Sequence, residues 1–182
     1  MTIQSVTKLD AATRQLRLSI RLYFQDAEPL GVHTVASAAH GILRDLLRRR
    51  DGSFSGHARD GMVQPGHVTF VRKKISDAKN FLKHADHDPE NVLSFNTDWT
   101  DFLLYDAIAM HISLSHKLTR ENIFFLLWVT AKYPTVLILK DLAANGIDKL
   151  RRVFPKLGTV DAQKRTFLAA INNESQQIRG AK

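Results

Sequence analysis

The chain has 182 residues, of which 44% are hydrophobic and 24% charged, a composition typical of one globular domain. It contains no cysteine, which excludes disulfides, zinc–thiolate sites and cysteine nucleophiles. Its formal net charge of +8 favours polyanionic partners, because lysine and arginine side chains attract phosphate groups.

The sequence lacks the apolar patterns that direct a chain to a membrane. Its N-terminal segment has no uninterrupted apolar core of the kind found in signal peptides. The most apolar run, 123–131, is bracketed too closely by Arg120, Glu121 and Lys132 to span a bilayer. We therefore expect a cytoplasmic protein that does not enter a membrane.

Apolar residues recur at spacings of three and four along the N-terminal part, which predicts amphipathic helices. These helices are expected over residues 7–24, 32–50, 67–88 and 98–116. Pro29 and Gly31 indicate a turn between the first two, and the glycine-rich stretch 51–66 predicts a surface loop before the third. Pro89 ends the third helix, because the residue before a proline is pushed out of the helical conformation.

The C-terminal part predicts shorter helices. They cover residues 122–132, 134–144, 148–155 and 160–173, followed by a frayed tail. No segment alternates persuasively between apolar and polar residues, although 135–139 has strand propensity. The fold class predicted is all-α: a four-helix up-and-down bundle over residues 1–118, with a smaller helical extension, 119–182, packed on it within a single domain.

Three polar residues of the second and fourth helices are candidates for buried or functional positions. His33 and His40 lie seven residues apart on one face of the second helix. They either join a functional cluster or are partly buried structural histidines, the interpretation we favour. Asp106 lies along the apolar face of the fourth helix, where a buried carboxylate needs a partner. Lys79, His84 or His40 are the candidates, and a boundary position facing water is the alternative.

The third helix is the most basic segment and carries the candidate site. Asn80, His84 and His87 are spaced i, i+4 and i+7, so their side chains can converge on a small volume. Basic residues of this helix and of the end of the second helix are candidate contacts to nucleic acid: Arg44, Arg48, Arg49, Arg72, Lys73 and Lys83. The alternative for these residues is a solvated surface, and a histidine at a helix C-terminus is also favoured by the helix dipole alone.

The run from Lys79 to His84, KNFLKH, resembles the signature of HEPN proteins (the higher eukaryote and prokaryote nucleotide-binding domain). That signature is an arginine, a polar residue that is often asparagine, three variable residues and a histidine. HEPN domains are small four-helix bundles. Many are metal-independent ribonucleases of toxin–antitoxin or antiphage systems, and others only bind nucleotides or RNA. Lys79 stands where the family has arginine. Lysine keeps the charge but lacks the planar guanidinium that binds a phosphate through two hydrogen bonds.

The resemblance implies roles for individual residues. Lys79 would stabilise charge on the phosphate, Asn80 would orient the site, and His84 would move a proton, with Asp106 and His40 in support. It implies RNA as the partner, no cofactor, and a homodimer in which two such helices meet. It also implies a protein partner, such as an antitoxin.

Two other functions are compatible with the sequence. A metal site is suggested by His84, Asp86, His87 and Asp88. The pair His87-Asp88 is also the dipeptide that names the HD phosphohydrolases, which are metal-dependent all-α enzymes. A metal site of that type in this chain would need further ligands from other helices. Those ligands would be His33 or His40 and Asp101 or Asp106. The third function is non-catalytic: a basic helical module that binds nucleic acid or protein through Arg44, Arg48 and Arg49.

Overall fold

A computed structural model describes residues 3–52, 68–82 and 89–133, together with 164, 165, 168 and 169. The helices described are α1 (Lys8–Phe24), α2 (Pro29–Asp51), α3 (Val68–Phe81), α4 (Asp98–Ser115) and α5 (Arg120–Lys132). Residues 164, 165, 168 and 169 are also helical. The all-α prediction is confirmed for these parts of the chain, which contain no strand. The helices predicted over 134–144 and 148–155 lie outside the described residues.

The start of α1 is fixed by a capping box. The Thr7 side chain accepts a hydrogen bond from the Asp10 backbone N–H at 3.1 Å, and the Asp10 carboxylate accepts from the Thr7 backbone N–H at 3.3 Å. Such caps satisfy N–H groups that have no partner inside the helix and so stabilise its first turn. At the other end of α1, Asp26 adopts a left-handed backbone conformation with φ 53° and reverses the chain.

The expected turn through Pro29 and Gly31 is wrong, because α2 begins three residues earlier than predicted. The Glu28 carboxylate accepts hydrogen bonds from the backbone N–H groups of Leu30 and Gly31, at 3.1 and 2.7 Å. Pro29 occupies the first helical position, where its missing N–H removes no helical hydrogen bond. The proline therefore initiates this helix.

Single residues set the end of α4 and the start of α5. His116 closes α4 in a left-handed conformation, φ 53°, one residue before the predicted end. The Thr119 side chain accepts from the Asn122 backbone N–H at 3.3 Å, so α5 begins at Arg120, two residues before the predicted start.

One hydrophobic core is shared by α1, α2, α4 and α5. α2 packs between α1 and α4, and α5 packs on α1 and α4. Edge-to-face aromatic contacts fill the region between α1 and α5; the rings of Tyr23 and Trp128, for example, lie 5.1 Å apart. α3 packs on α2 and α4, and Ala78 is its one fully buried side chain among those described. None of the helices described has the length and apolar character needed to span a membrane.

An ion-pair cluster fastens α5 to α1. The Glu121 side chain is only 5% exposed and accepts hydrogen bonds from Arg17 at 3.0 Å and Arg21 at 2.6 Å. Burial alone would raise the pKa of Glu121, but the hydrogen bonds from the two guanidinium groups outweigh it and lower the pKa. Both arginines are partly exposed, and no local pattern in the sequence indicates that they share a partner on α5.

Candidate functional site

The helix α3 directs Lys79 toward the middle of α2. Lys79 is half-buried, and its ammonium lies beside Gly41: a Cβ atom added at Gly41 would be 3.7 Å from Lys79 Nζ. Gly41 directly follows His40. The predicted cation therefore lies against α2, one position beyond the predicted supporting histidine.

His40 and Asp106 form a buried pair between α2 and α4. His40 Nε2 donates to Asp106 Oδ2 at 2.7 Å, and the two side chains are 5% and 0% exposed. The alternative of a water-facing Asp106 is wrong, because the face of α4 that carries it lies against α2. The carboxylate obtains one of the three partners that the sequence had left open.

His33 forms a second polar contact between the same helices. Its Nδ1 lies 3.0 Å from Thr100 Oγ1, and the ring of Phe95 packs edge-on against it at 5.1 Å. Burial and, to a smaller extent, the proximity of His40 together lower the pKa of His33 to about 4. His33 is therefore neutral near pH 7. Both α2 histidines are buried, more completely than the partly buried positions expected for them.

Asn80 faces away from the contact between α2 and α3. It is exposed, as are Thr69, Lys73 and Ser76, which lie at helical spacings along the outer side of α3. Lys79 and Asn80, adjacent in sequence, thus face α2 and solvent respectively. The other predicted residues of this region, Lys83, His84, Asp86, His87 and Asp88, lie outside the described residues, as does the side chain of Arg72.

The arginines at the end of α2 differ in their surroundings. Arg48 and Arg49 are exposed, whereas Arg44 is partly buried and donates to the Asp45 carboxylate at 2.9 and 3.0 Å. Arg50, the last arginine of the same cluster, donates to the Ser113 carbonyl at 2.7 Å and so fastens α2 to α4. Arg48 and Arg49 are thus placed where a polyanion can reach them.

The additional ligands that an HD-type metal site would need have protein partners. His40 bonds Asp106 directly, His33 bonds Thr100, and Asp101 accepts from Lys132 at 2.8 Å. Over the ranges 3–52, 68–82 and 89–133, no three histidine or carboxylate side chains are grouped as metal ligands. His87 and Asp88 themselves lie outside those ranges.

A second polar cluster, not predicted from the sequence, lies at the junction of α4 and α5. Asp101 is fully buried and its Oδ2 accepts from Lys132 Nζ and from the Tyr133 hydroxyl, both at 2.8 Å. Lys132 Nζ also donates to Asp98 at 2.7 Å. Burial raises the pKa of Asp101, a shift that the hydrogen bond from Lys132 only partly offsets. Burial also raises the pKa of Tyr133, and the charge of Asp101 adds to that shift, so the hydroxyl stays protonated.

This cluster borders a cleft of about 410 Å³. The cleft is formed by the end of α1, the first turns of α2 and α4, and the end of α5. Its charged and aromatic lining consists of Tyr23, Asp26, Asp98, Trp128, Lys132 and Lys164. These residues are scattered along the sequence, so no local motif could have indicated it.

Comparison with known proteins gives no relative: no family model, no curated protein and no solved structure matches this chain. Its function therefore has to be inferred from the chemistry of its own residues.

Proposed function

We propose that this chain is a HEPN-like RNA-binding protein that cleaves RNA without a metal ion near the end of α3. The observation that carries the proposal is the position of Lys79, a half-buried ammonium beside Gly41, the residue that follows His40 of the buried His40–Asp106 pair. A cation in a partly desolvated site acts on a phosphate more strongly than one on an open surface, because less water screens it. The up-and-down four-helix bundle is part of the same proposal.

The chemistry requires few groups. The 2′-hydroxyl oxygen attacks the adjacent phosphorus, the bond from phosphorus to the 5′-oxygen breaks, and the products are a 2′,3′-cyclic phosphate and a 5′-hydroxyl. One proton leaves the 2′-hydroxyl and one reaches the departing 5′-oxygen. By the family resemblance, His84 moves one of these protons and Lys79 stabilises the negative charge on the phosphate oxygens. The proposal therefore needs no metal.

His40 and Asp106 would act as positioning residues. Their 2.7 Å hydrogen bond holds α2 against α4, and α2 is the surface on which Lys79 rests. A site whose supporting groups are fixed by buried hydrogen bonds keeps its geometry when the substrate binds.

The RNA strand would extend over exposed basic residues. Arg48 and Arg49 at the end of α2 and Lys73 on α3 are exposed, and the chain carries a net charge of +8. Phosphate contacts of this type supply affinity without sequence preference. A homodimer, and a partner protein of the antitoxin type, are further parts of the proposal that the family resemblance supplies.

The first test compares two identical substitutions, His84→Asn and His116→Asn. His116 is exposed, and its left-handed conformation is one that asparagine tolerates. We expect His84→Asn to lower the cleavage rate of single-stranded RNA by about 10²–10⁴-fold, the usual contribution of general acid–base catalysis. RNA affinity should change by less than about threefold, since a proton-transfer group adds little to binding. His116→Asn should change neither quantity.

The second test concerns the cation. Lys79→Arg should preserve or increase cleavage, because it provides the forked contact that the family uses. Lys79→Met removes the charge at similar length and should abolish cleavage, whereas Lys117→Met, at an exposed lysine after α4, should not. Equal losses from both methionine variants, or a wild-type protein that neither binds nor cleaves RNA, would contradict the proposal.

A further inference from the structure

The cleft between α1, α2, α4 and α5 contains two ammonium groups held in the same way. Lys132 Nζ lies 5.1 Å from the ring centroid of Trp128 and 5.1 Å from that of Tyr133, while bonding Asp98 and Asp101. Lys164 Nζ lies 4.9 Å from the ring centroid of Tyr23. Its ion-pair partner is Asp26.

Each ammonium thus has an aromatic face on one side and a carboxylate on the other. This combination is the usual way in which proteins recognise organic cations, since the ring face is electrostatically negative and the carboxylate is charged. The two lysines reach the cleft from different parts of the chain. Lys132 is the last residue of α5, whereas Lys164 lies 31 positions after Tyr133 in the C-terminal part of the chain.

The charges of the cleft also favour a cation. Asp26 and Asp98 line it and Asp101 lies directly behind Lys132, so three carboxylates face two ammonium groups among the described residues. This local balance is opposite in sign to the +8 of the whole chain. An anion would meet lysines that are already paired with carboxylates.

The two ammonium groups, of Lys132 and Lys164, differ in how firmly they are held. Lys132 bonds two carboxylates, one of them fully buried, and its pKa is raised by these hydrogen bonds although burial opposes the shift. Lys164 has one carboxylate partner described, Asp26, whose side chain is 77% exposed. Asp26 also holds a left-handed conformation, φ 53°, directly after the end of α1. The Tyr23–Asp26 subsite is therefore the one from which an ammonium can be exchanged.

We propose that this cleft binds a primary ammonium group and that Lys164 occupies its Tyr23–Asp26 subsite as an internal ligand. An external alkylammonium, either a free diamine or the lysine side chain of another protein, binds by displacing Lys164. The volume of about 410 Å³ accommodates such a chain beside Lys132. None of these residues belongs to the site near α3, so the proposal does not depend on RNA cleavage.

The test is calorimetric titration of the full-length protein with 1,4-diaminobutane, and separately with a lysine blocked at its amino and carboxyl groups. Lys164→Ala should increase the affinity for the ammonium probe at least about tenfold, because the internal competitor is gone. Lys164→Arg keeps a cation over Tyr23 and should behave like the wild type. Arg165→Ala, the adjacent exposed residue, is the matched control and should have no effect.

Adding Asp26→Asn to Lys164→Ala should return the affinity to the wild-type level or below. Tighter binding of the diamine identifies a free amine as the ligand, and tighter binding of the blocked lysine identifies a protein side chain. Two results would overturn the proposal: no binding of either probe to the Lys164→Ala protein, or binding that Asp26→Asn leaves unchanged. Circular dichroism of each variant establishes that the protein titrated is folded.

Discussion

Replacing His40 by leucine is the perturbation whose effect on stability can be worked out most directly. The substitution removes the imidazole that donates to Asp106 at 2.7 Å and leaves a fully buried carboxylate without that donor. Leucine has a similar volume, so loss of packing is a minor part of the effect. The electrostatic part dominates.

Breaking a buried ion pair by removing one partner costs about 3–5 kcal/mol, because the remaining charge is no longer compensated. For a chain of this size each kcal/mol lowers the melting temperature by roughly 2–4 °C, so we expect a fall of roughly 6–20 °C. The double variant, in which Asp106 is also leucine, should recover at least about 2 kcal/mol relative to the sum of the single changes, since no buried charge remains.

The assay is urea unfolding of the wild type, both single variants and the double variant, analysed as a double-mutant cycle. The pair Arg44–Asp45 provides a matched control, because its hydrogen bond is 2.9 Å long but its side chains are 28% and 64% exposed. Leucine substitutions there should show a coupling of less than about 1 kcal/mol. The reasoning is refuted if His40→Leu costs less than about 1 kcal/mol, or if the two pairs show the same coupling.

Three further outcomes are expected. The pKa of His33 is about 4 in the folded protein and 6.5 ordinarily, so on acidification the unfolded chain takes up the proton first. The free energy of unfolding should therefore decline between pH 6.5 and pH 4, by on the order of 3 kcal/mol. His33→Gln should flatten this pH dependence of urea unfolding. Glu121→Gln should lower the free energy of unfolding by about 1–2 kcal/mol, because charge-assisted hydrogen bonds to α1 become neutral ones. Replacing Arg48 and Arg49 by alanine should reduce the log–log salt slope of RNA binding by roughly 0.7 per lost phosphate contact.

Each of these outcomes has a control. Glu90→Gln changes the same group at an exposed position and should leave stability within about 0.5 kcal/mol. Alanine at Lys8 and Lys117 removes two exposed charges away from the α2 end and should leave the salt slope nearly unchanged. If the pH dependence of stability survives His33→Gln, it arises from other titrating groups. If both pairs of alanine variants change the salt slope equally, the salt effect arises from net charge.

Local sequence patterns predicted the helices well because their apolar spacing and caps are local features. The helix predicted from residue 7 begins at Lys8 with Thr7 as its cap, and the apolar stripes of α1, α2 and α4 form much of the core. The error at Pro29 was also local. Proline is compatible with both a turn and a first helical position, and the capping carboxylate of Glu28 decides between them.

The contacts between distant residues were only partly predictable. A buried aspartate requires a partner, so His40 could be proposed for Asp106, but the sequence does not distinguish it from Lys79 or His84. The Asp101–Lys132 pair joins positions 31 residues apart and left no sign in the sequence. The different directions of Lys79 and Asn80 depend on how α3 packs against α2, which spacing within α3 cannot reveal.

Metal-independent cleavage of RNA through its own 2′-hydroxyl can be tested in a single experiment. A labelled single-stranded RNA and the same strand made of deoxyribose are incubated with the wild-type protein in excess EDTA, and the product ends are identified. The proposed mechanism predicts cleavage of the RNA alone, with cyclic phosphate ends and no loss of rate on chelation. Absence of cleavage in EDTA with rescue by manganese or nickel, or cleavage of both strands, would contradict it.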